Sequence, residues 1–261
     1  MNILKVPNPF NAPVYHEGTV KSTMDVSKTL ACGGAAAGTV ICADFQEEGR
    51  GRGLERKWEM ERGENLSFTV LLVFPRMEDI APALTLRTGL AVSLAVEETS
   101  PSLKNRVKVK WPNDIMIDDK KICGILCEAD VAGGCNVHVG IGVNVMQKEF
   151  PPHLRHKATS IFLETQEADS GKMIVNGFYL LEKILARLYD ELRCADGDWK
   201  DRLERRLYKK GEDVTFIDGT VDSGKEIKGC LAGINENGGL LIVPGGKTEP
   251  TVFIAGELKI Y

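Results

Sequence analysis

A strictly alternating segment that runs into a proline constrains the fold of this chain more than any other feature. In residues 106–111, valine and tryptophan side chains fall on one face and arginine and lysine side chains on the other, as in a β-strand. Pro112 cannot donate a ladder hydrogen bond, so the strand must bend or break there. Asn113 and Asp114 would then project from the bend, where they could hold a hydroxyl group or a metal-bound phosphate. The alternative is an ordinary turn capped by Asn and Asp.

Further segments predict an α+β fold, in which helices pack on a mixed β-sheet. The predicted strands lie at residues 13–20, 39–43, 66–74, 113–117, 121–128 and 136–144. The predicted helices lie at residues 22–33, 82–98, 171–193 and 199–208. After Gly211 the chain changes to short β segments separated by glycines, which indicates a small C-terminal β-barrel. We therefore expect a larger domain over residues 1–208 and a smaller one over residues 209–261.

Composition and charge exclude several classes of protein. The 261 residues carry a formal charge of -4, from 33 basic and 37 acidic side chains, which argues against a general nucleic-acid-binding protein. The 7 cysteines are odd in number and form no Cys-x-x-Cys pair, so they predict neither a disulfide framework nor a zinc site. Reduced thiols in a cytoplasmic protein are the simplest interpretation. The N-terminal segment has no long apolar run, and we predict no signal peptide and no membrane span.

A glycine- and arginine-rich run at residues 49–53 is suited to an anionic ligand. Glycines such as Gly49 let the backbone approach a ligand closely, and the guanidinium groups of Arg50 and Arg52 match carboxylate and phosphate oxygens. The alternative is a basic, solvated loop.

Two further segments suggest contacts with a small molecule. Lys121 heads an apolar strand, and its ammonium group could lie against a carboxylate or an α-phosphate, although an exposed turn lysine is the alternative. Residues 140–144 read Gly-x-Gly-x-Asn but fail the dinucleotide fingerprint, because position 145 is valine; close approach of the backbone to a ligand fits them better. His153 and His156 lack the further ligands and spacing of a metal site. No nucleophile motif is present, so any transfer chemistry is expected to avoid a covalent enzyme intermediate.

Together, these features resemble the biotin–protein ligases (the holocarboxylase synthetase family). The family's marks are a Ser-Thr pair opening the first helix, a Gln before a Gly-Arg-Gly-Arg loop, a Lys-Trp-Pro-Asn-Asp segment, a Lys-φ-x-Gly-Ile-Leu strand with apolar φ, and a Gly-x-Gly-x-Asn strand. This chain has all five in that order: Ser22-Thr23, Gln46 with residues 49–52, then residues 110–114, 121–126 and 140–144. The combination is highly specific, and the match covers nearly the whole chain.

The chain departs from the family pattern in three places. Between the Gly-Arg-Gly-Arg run and Trp58 it is one residue longer than is usual, which affects the closed shape of the loop more than its role. Some members place a C-terminal arginine on the nucleotide, whereas this chain ends Lys259-Ile260-Tyr261. Members that also act as repressors carry an N-terminal helix-turn-helix domain. This chain begins at the catalytic region, so the resemblance does not imply DNA binding.

The resemblance implies a catalytic domain of the class II aminoacyl-tRNA synthetase and biotin ligase type, followed by an SH3-like barrel. In the family reaction the biotin carboxylate attacks the α-phosphate of ATP, supplied with Mg²⁺, and biotinyl-5'-AMP forms. The amine of a lysine on a biotin carboxyl carrier protein domain then displaces AMP.

The same resemblance assigns residues to roles. Lys121, Arg52 and Asp114 would be catalytic, and Asp114 would also place the metal-bound phosphates. The expected biotin contacts are Ser22, Thr23, Gln46, Gly49, Arg50, Lys121, Gly124 and Gly142. The expected nucleotide contacts are Arg52, Lys110, Asn113, Asp114 and Asn144. Arg50 and Arg52 would close over the adenylate.

Two other functions compete with this one. A lipoate or octanoate ligase or transferase shares the general fold, but it lacks the pairing of Gly-Arg-Gly-Arg with Lys-Trp-Pro-Asn-Asp. A non-enzymatic interaction protein built around the C-terminal barrel would need an aromatic-lined groove, and the tail has few aromatic residues. Homodimers are common in the family, but the sequence does not fix the oligomeric state.

Overall fold

Two β-sheets and five α-helices make up the part of the protein that the computed structural model describes, namely residues 1–53, 56–130, 135–165, 176–193, 198–219 and 224–259. The strands are β1 (Asn2–Ile3), β2 (Val14–Glu17), β3 (Val40–Ala43), β4 (Asn65–Phe74), β5 (Val107–Lys110), β6 (Asp114–Ile117), β7 (Lys120–Asp130), β8 (Cys135–Asn144), β9 (Asp213–Asp218), β10 (Lys225–Ile234), β11 (Leu240–Pro244), β12 (Thr251–Phe253) and β13 (Glu257–Lys259). The helices are α1 (Thr23–Cys32), α2 (Leu84–Thr99), α3 (Ile161–Thr165), α4 (Gly177–Arg193) and α5 (Trp199–Glu204).

The larger sheet contains eight strands in the order β1-β2-β3-β4-β8-β7-β6-β5. The β2–β3 pair is parallel and the other pairs are antiparallel, so the sheet is mixed, as predicted. Its long central strands β4 and β8 pair over ten residues each and are almost wholly buried. This rigid centre carries the glycines of residues 140–144 next to β7, which carries Lys121.

Helix α1 begins where the Ser-Thr pair predicted. The Ser22 hydroxyl accepts a hydrogen bond from the Met24 N–H at 3.2 Å, and Asp25 adds a negative charge to the first turn. The helix packs against β3, β4 and β8. The N-terminal end of α1 is thereby fixed over the centre of the sheet.

Helix α2 supplies much of the core, because it is apolar on most of its surface. The segment Met77–Thr99 is long and apolar enough to cross a membrane, but 61% of its most apolar window is buried inside the fold, as in the core helix of a soluble protein. The predicted helix at 171–193 is seen as α4. The first part of that prediction, including Ile174, lies outside the described residues. The glycine pair at residues 133–134, which predicts a turn between the strands at 121–128 and 136–144, lies outside them as well.

The smaller sheet has five antiparallel strands in the order β12-β11-β10-β9-β13. Among the described residues its edge strands β12 and β13 do not pair, so the predicted small barrel is an open sheet there. The sheet packs onto the larger one: the Trp111 indole N–H donates to the Gly238 carbonyl at 3.0 Å, and the Trp111 and Phe216 rings lie 5.9 Å apart. A boundary at 208/209 stays a prediction.

Candidate active site

A lysine–aspartate–lysine cluster forms at the predicted bend. The Trp111–Pro112 peptide bond is cis, and Asp114 begins β6 directly after it. The Lys121 ammonium nitrogen lies 2.5 Å from one Asp114 carboxylate oxygen, and the Lys110 nitrogen lies 3.6 Å from the other. The turn between β5 and β6 places Lys110 opposite Asp114, and the pairing of β6 with β7 brings Lys121 to the same carboxylate.

Lys110 is more buried than its place on a polar strand face indicates. Strand alternation places it on a face with Arg106 and Lys108, yet it is 3% exposed. Its surroundings are tertiary: it pairs with Asp114 and lines a cavity that Leu258 of β13 also lines.

Burial and charge act against each other in this cluster. Burial lowers the pKa of Lys110, while the neighbouring Asp114 carboxylate opposes that shift. Burial disfavours the ionised form of Asp114, but the charges of Lys121 and Lys110 outweigh it, and the pKa of Asp114 lies below its usual range. Asp114 is therefore a charged group held between two cations rather than a base awaiting a proton.

A first cavity of about 400 Å³ lies on one side of this cluster. Ten of the predicted site residues line it: Ser22, Thr23, Gln46, Arg50, Arg52, Asn113, Asp114, Lys121, Gly124 and Gly142. The apolar side chains of Met24, Phe68 and Ile125 complete much of its wall. The first cavity thus combines apolar walls with the cationic groups of Arg50, Arg52 and Lys121.

A hydrogen-bonded polar group closes another part of the first cavity. The Gln46 side-chain oxygen accepts from the Thr23 N–H at 2.8 Å and from the Thr23 hydroxyl at 3.1 Å. The Thr23 hydroxyl also lies 2.8 Å from that of Thr69. These groups offer both hydrogen-bond donors and acceptors to a neutral polar ligand. Thr69 is a further lining residue that the sequence patterns do not predict.

Gly124 and Gly142 form the floor of the first cavity, where the indole ring of Trp58 leaves no room for larger side chains. A Cβ atom at Gly142 would lie 2.4 Å from the Trp58 ring, and one at Gly124 would lie 3.3 Å from it. The Trp58 indole nitrogen is buried and finds no hydrogen-bond partner within the described part of the chain. Trp58 is a site residue that the sequence interpretation did not single out.

The Gly-Arg run forms one strand of a short hairpin over this cavity. The Trp58 N–H donates to the Gly49 carbonyl at 2.9 Å, and the Gly51 N–H donates to the Arg56 carbonyl at 2.7 Å. Gly49 does not line the first cavity; a Cβ there would meet the Trp58 carbonyl oxygen at 2.8 Å, so its role is to let the hairpin close. Residues 54–55, between these two segments, lie outside the described residues.

The arginines of the hairpin are anchored to the rest of the protein. Arg50 pairs with Asp25 at 2.7 Å, which ties the hairpin to α1. Arg52 donates to the Gly256 carbonyl at 2.7 Å, and Arg56 pairs with Glu257 at 2.5 Å. The hairpin therefore bridges the larger sheet and the smaller one.

A second cavity of about 500 Å³ lies on the other side of the lysine–aspartate cluster. Lys110 and Asn144 line it, together with Glu257, Leu258 and Lys259 of the smaller sheet. The Asn144 amide donates to the Thr159 carbonyl at 3.0 Å, while its buried side-chain oxygen has no partner in the described ranges. The two cavities share a wall of seven residues: Arg56, Lys57, Trp58, Glu59, Asp114, Lys121 and Leu154.

Asn113 has a structural role in this arrangement. Its side-chain amide donates to the Ile125 carbonyl at 2.8 Å, and its own carbonyl accepts from the Ile125 N–H at 2.9 Å. It lines the first cavity rather than the second, where its predicted nucleotide contact would be made.

Comparison with known proteins assigns the family. Residues 18–145 match the model of the biotin/lipoate A/B protein ligase family. The chain is 30% identical to the biotin–[acetyl-CoA-carboxylase] ligase of Paracoccus denitrificans, over 80% of this chain and 85% of that protein. It superposes on the biotin protein ligase of Aquifex aeolicus in complex with biotin and ATP with a TM-score of 0.78, at 30% identity, covering 94% of this chain and 97% of that one. The chain belongs to the biotin protein ligase family.

Some members of this biotin protein ligase family are longer. The bifunctional ligase/repressor BirA of Bacillus subtilis is 36% identical over 57% of this chain, and the match spans 45% of that protein. The chain thus matches about half the length of that relative. The family assignment confirms the predicted class of catalytic fold and is consistent with an SH3-like arrangement of the smaller sheet.

Proposed function

We propose that this protein is an ATP-dependent biotin–protein ligase, which activates biotin to biotinyl-5'-AMP and transfers it to a lysine of a biotin carboxyl carrier protein domain. One observation carries the proposal: two cavities, one lined by Thr23, Gln46 and apolar side chains and the other by Lys110 and Asn144, meet at the Lys121–Asp114 pair. A reaction that joins an acyl group to a nucleotide needs its two substrates to meet at a cation. Solved relatives bound to biotin and ATP and to biotinyl-5'-AMP support the assignment of the ligands.

The first cavity fits biotin. Thr23 and Gln46 offer hydrogen bonds to a neutral cyclic urea, and the apolar walls suit the hydrocarbon part of the ligand. The Ser22 hydroxyl caps α1, so it orients the helix end that faces this group. The carboxylate of the ligand would then point toward Lys121 at the shared wall.

The second cavity fits the nucleotide. Lys110 and Lys121 supply positive charge, and the Asn144 oxygen and the Asp114 carboxylate supply the oxygen ligands that Mg²⁺ prefers. Among the described residues there is no cluster of three His, Cys, Asp or Glu side chains, so we propose that Mg²⁺ enters with ATP, bound mainly by phosphate oxygens. The ion would neutralise charge on the departing pyrophosphate.

Lys121 would act at the bond-forming atoms. Its ammonium group, held 2.5 Å from Asp114, would attract the biotin carboxylate and offset the negative charge that builds on the α-phosphate as the anhydride forms. Lys110 balances the second oxygen of Asp114, so that Asp114 fixes Lys121 without adding net negative charge to the site. The chain needs no covalent intermediate for this step.

Retention of the adenylate would fall to the hairpin. Arg52 and Arg56 are anchored on Gly256 and Glu257, so opening of the hairpin requires these contacts with the smaller sheet to break. Each hydrogen bond to a charged group contributes roughly 1.5–3 kcal/mol, enough to slow loss of an intermediate that water would hydrolyse.

Domain division, location and assembly are secondary proposals. The five strands from Asp213 onward pair with one another in one sheet, which supports separate domains at residues 1–208 and 209–261. A cytoplasmic location fits the reduced cysteines, six of which are free in the described part of the chain. A homodimer is consistent with the family resemblance and is tested by sedimentation at several protein concentrations.

Mass spectrometry under native conditions tests the proposed function directly. The protein is incubated with biotin and Mg-ATP, and in parallel with lipoate and Mg-ATP, and the mass of the retained acyl-adenylate is measured. We expect bound biotinyl-5'-AMP and no lipoyl-AMP. Retention of lipoyl-AMP alone would favour a lipoate ligase, and retention of neither would contradict ligase chemistry.

A further inference from the structure

A carboxylate and an imidazole meet at the rim of the first cavity. Glu59 follows Trp58 and lines both cavities, so it belongs to their shared wall. His153 lies between β8 and α3 and lines the first cavity. The His153 Nε2 atom lies 2.9 Å from a Glu59 carboxylate oxygen. These two residues are here called the rim pair. The His153 side chain is 63% exposed and the Glu59 side chain 43%, so a group arriving from solvent reaches them.

The second half-reaction, transfer of the acyl group to a carrier lysine, needs a group that accepts a proton. A lysine of a carrier protein arrives as an ammonium ion, and it must lose a proton before its nitrogen can attack the acyl carbon. Asp114 is not suited to accept that proton, because it is enclosed and already paired with Lys121 and Lys110. The remaining charged residues of the shared wall, apart from Glu59, are cations: Arg56, Lys57 and Lys121.

We propose that the rim pair receives the acceptor lysine, with Glu59 binding its ammonium group and His153 accepting its proton; the inference rests on the proposed ligase function. The lysine N–H bond breaks and its proton passes to the imidazole. The free nitrogen then forms a bond to the acyl carbon, and the acyl C–O bond breaks, so AMP leaves with that electron pair. The remaining excess proton on the new amide nitrogen passes to water.

Cationic side chains make up most of the charged surroundings of His153. Several cationic side chains line the cavity beside it, namely Arg50, Arg52, Arg56, Lys57 and Lys121. Its own loop adds Arg155, His156 and Lys157. Glu59 at 2.9 Å and the more distant Asp114 are the facing carboxylates among the described lining residues. Glu59 is therefore the nearby group that would attract an arriving ammonium ion, and it would hold the lysine nitrogen beside His153.

A single-turnover experiment separates the rim pair from the rest of the site. Biotinyl-5'-AMP is loaded on the 261-residue protein, a carrier domain is added, and the rate of carrier labelling is followed against pH. In His153→Gln and Glu59→Gln we expect labelling at about neutral pH to slow by roughly 10²-fold, the lower range for general acid–base catalysis. Biotin-dependent exchange of pyrophosphate into ATP should slow much less than carrier labelling does, because neither residue is paired with Lys121 or Asp114.

A neutral amine provides the decisive control. Hydroxylamine is uncharged at neutral pH and needs no general base, so its reaction with bound biotinyl-5'-AMP should be equally fast in wild type and in both variants. His16→Gln removes a histidine that also pairs with a carboxylate, Asp44, at 2.8 Å, but that lines neither of these two cavities, and it should leave carrier labelling unchanged.

Three results would overturn the proposal. Carrier labelling at the wild-type rate in His153→Gln would remove the base from its role. An equal loss of pyrophosphate exchange, or of the hydroxylamine reaction, would show that the rim pair only supports the structure of the cavity. If the wild-type protein formed no biotinyl-5'-AMP at all, the proposed ligase function would fail first, and the rim pair with it.

Discussion

Replacement of Gly142 by alanine tests whether Trp58 is fixed on the floor of the first cavity. The new Cβ would lie 2.4 Å from Cε2 of the indole, which is 1.0 Å inside the 3.4 Å at which ordinary van der Waals contact begins. The ring must therefore retreat into the cavity or the sheet must distort. Overpacking of this kind costs typically ~1–3 kcal/mol. Because the indole lies on the wall shared by the two cavities, we expect most of this cost to appear as a roughly 5- to 150-fold loss of biotin affinity.

Calorimetric titration with biotin measures the loss, and thermal unfolding shows whether any of the cost falls on stability instead. Two matched variants set the scale. At Gly140 the new Cβ would meet Cε of Met24 at 2.8 Å, the far end of a flexible side chain that can turn away, so a smaller effect is expected. At Gly177 nothing lies within 4 Å, and no effect on binding is expected. Unchanged affinity together with an unchanged unfolding temperature in Gly142→Ala would refute the placement of Trp58.

Three further predictions follow from charges in the structure. Glu257→Gln removes the carboxylate that anchors Arg56, while Arg52 keeps its hydrogen bond to the Gly256 carbonyl. Biotinyl-5'-AMP should therefore dissociate several-fold faster from the variant in a filter-retention assay. An unchanged half-life of the bound adenylate would show that other contacts hold the hairpin. Asp114→Asn leaves the buried Lys110 without its counter-ion and should lower the free energy of unfolding by about 3–5 kcal/mol in urea, whereas a loss below about 1 kcal/mol would contradict the buried pair. His138 is fully buried, and burial together with the charge of Lys28 lowers its pKa below the ordinary 6.5. The unfolded chain therefore binds more protons than the folded one, so the contribution of His138 to the free energy of unfolding is complete above pH 6.5 and declines as the pH falls below it. His138→Gln should flatten this part of the curve of unfolding free energy against pH. An identical slope in the variant would count against the prediction.

Local patterns in the sequence were enough for most of the framework. Ser22 marks the start of α1 because a hydroxyl cap acts within one turn, and Pro112 marks a bend because a missing N–H acts at its own position. The burial of Lys110 has the opposite origin. Strand alternation describes the two faces of a sheet, but not that residues of a later strand, such as Leu258, line the same cavity as one of its side chains.

The parts of the site that the sequence did not reveal depend on contacts between distant segments. Glu59 and His153 are separated by 94 positions, and neither belongs to a recognisable spacing. Trp58 becomes a site residue because the hairpin folds its ring onto glycines of β7 and β8. A signal was present in that case, since a glycine in the middle of a strand often marks close approach of another group.

The rate of biotin-dependent pyrophosphate exchange into ATP tests most directly whether chemistry occurs where the two cavities meet. Lys121→Ala and Lys120→Ala are compared, because the two lysines are neighbours but only Lys121 is paired with Asp114, whereas Lys120 is exposed to solvent. We predict that Lys121→Ala loses nearly all exchange while keeping its fold, and that Lys120→Ala exchanges at the wild-type rate. Full exchange in a folded Lys121→Ala protein would contradict the central claim.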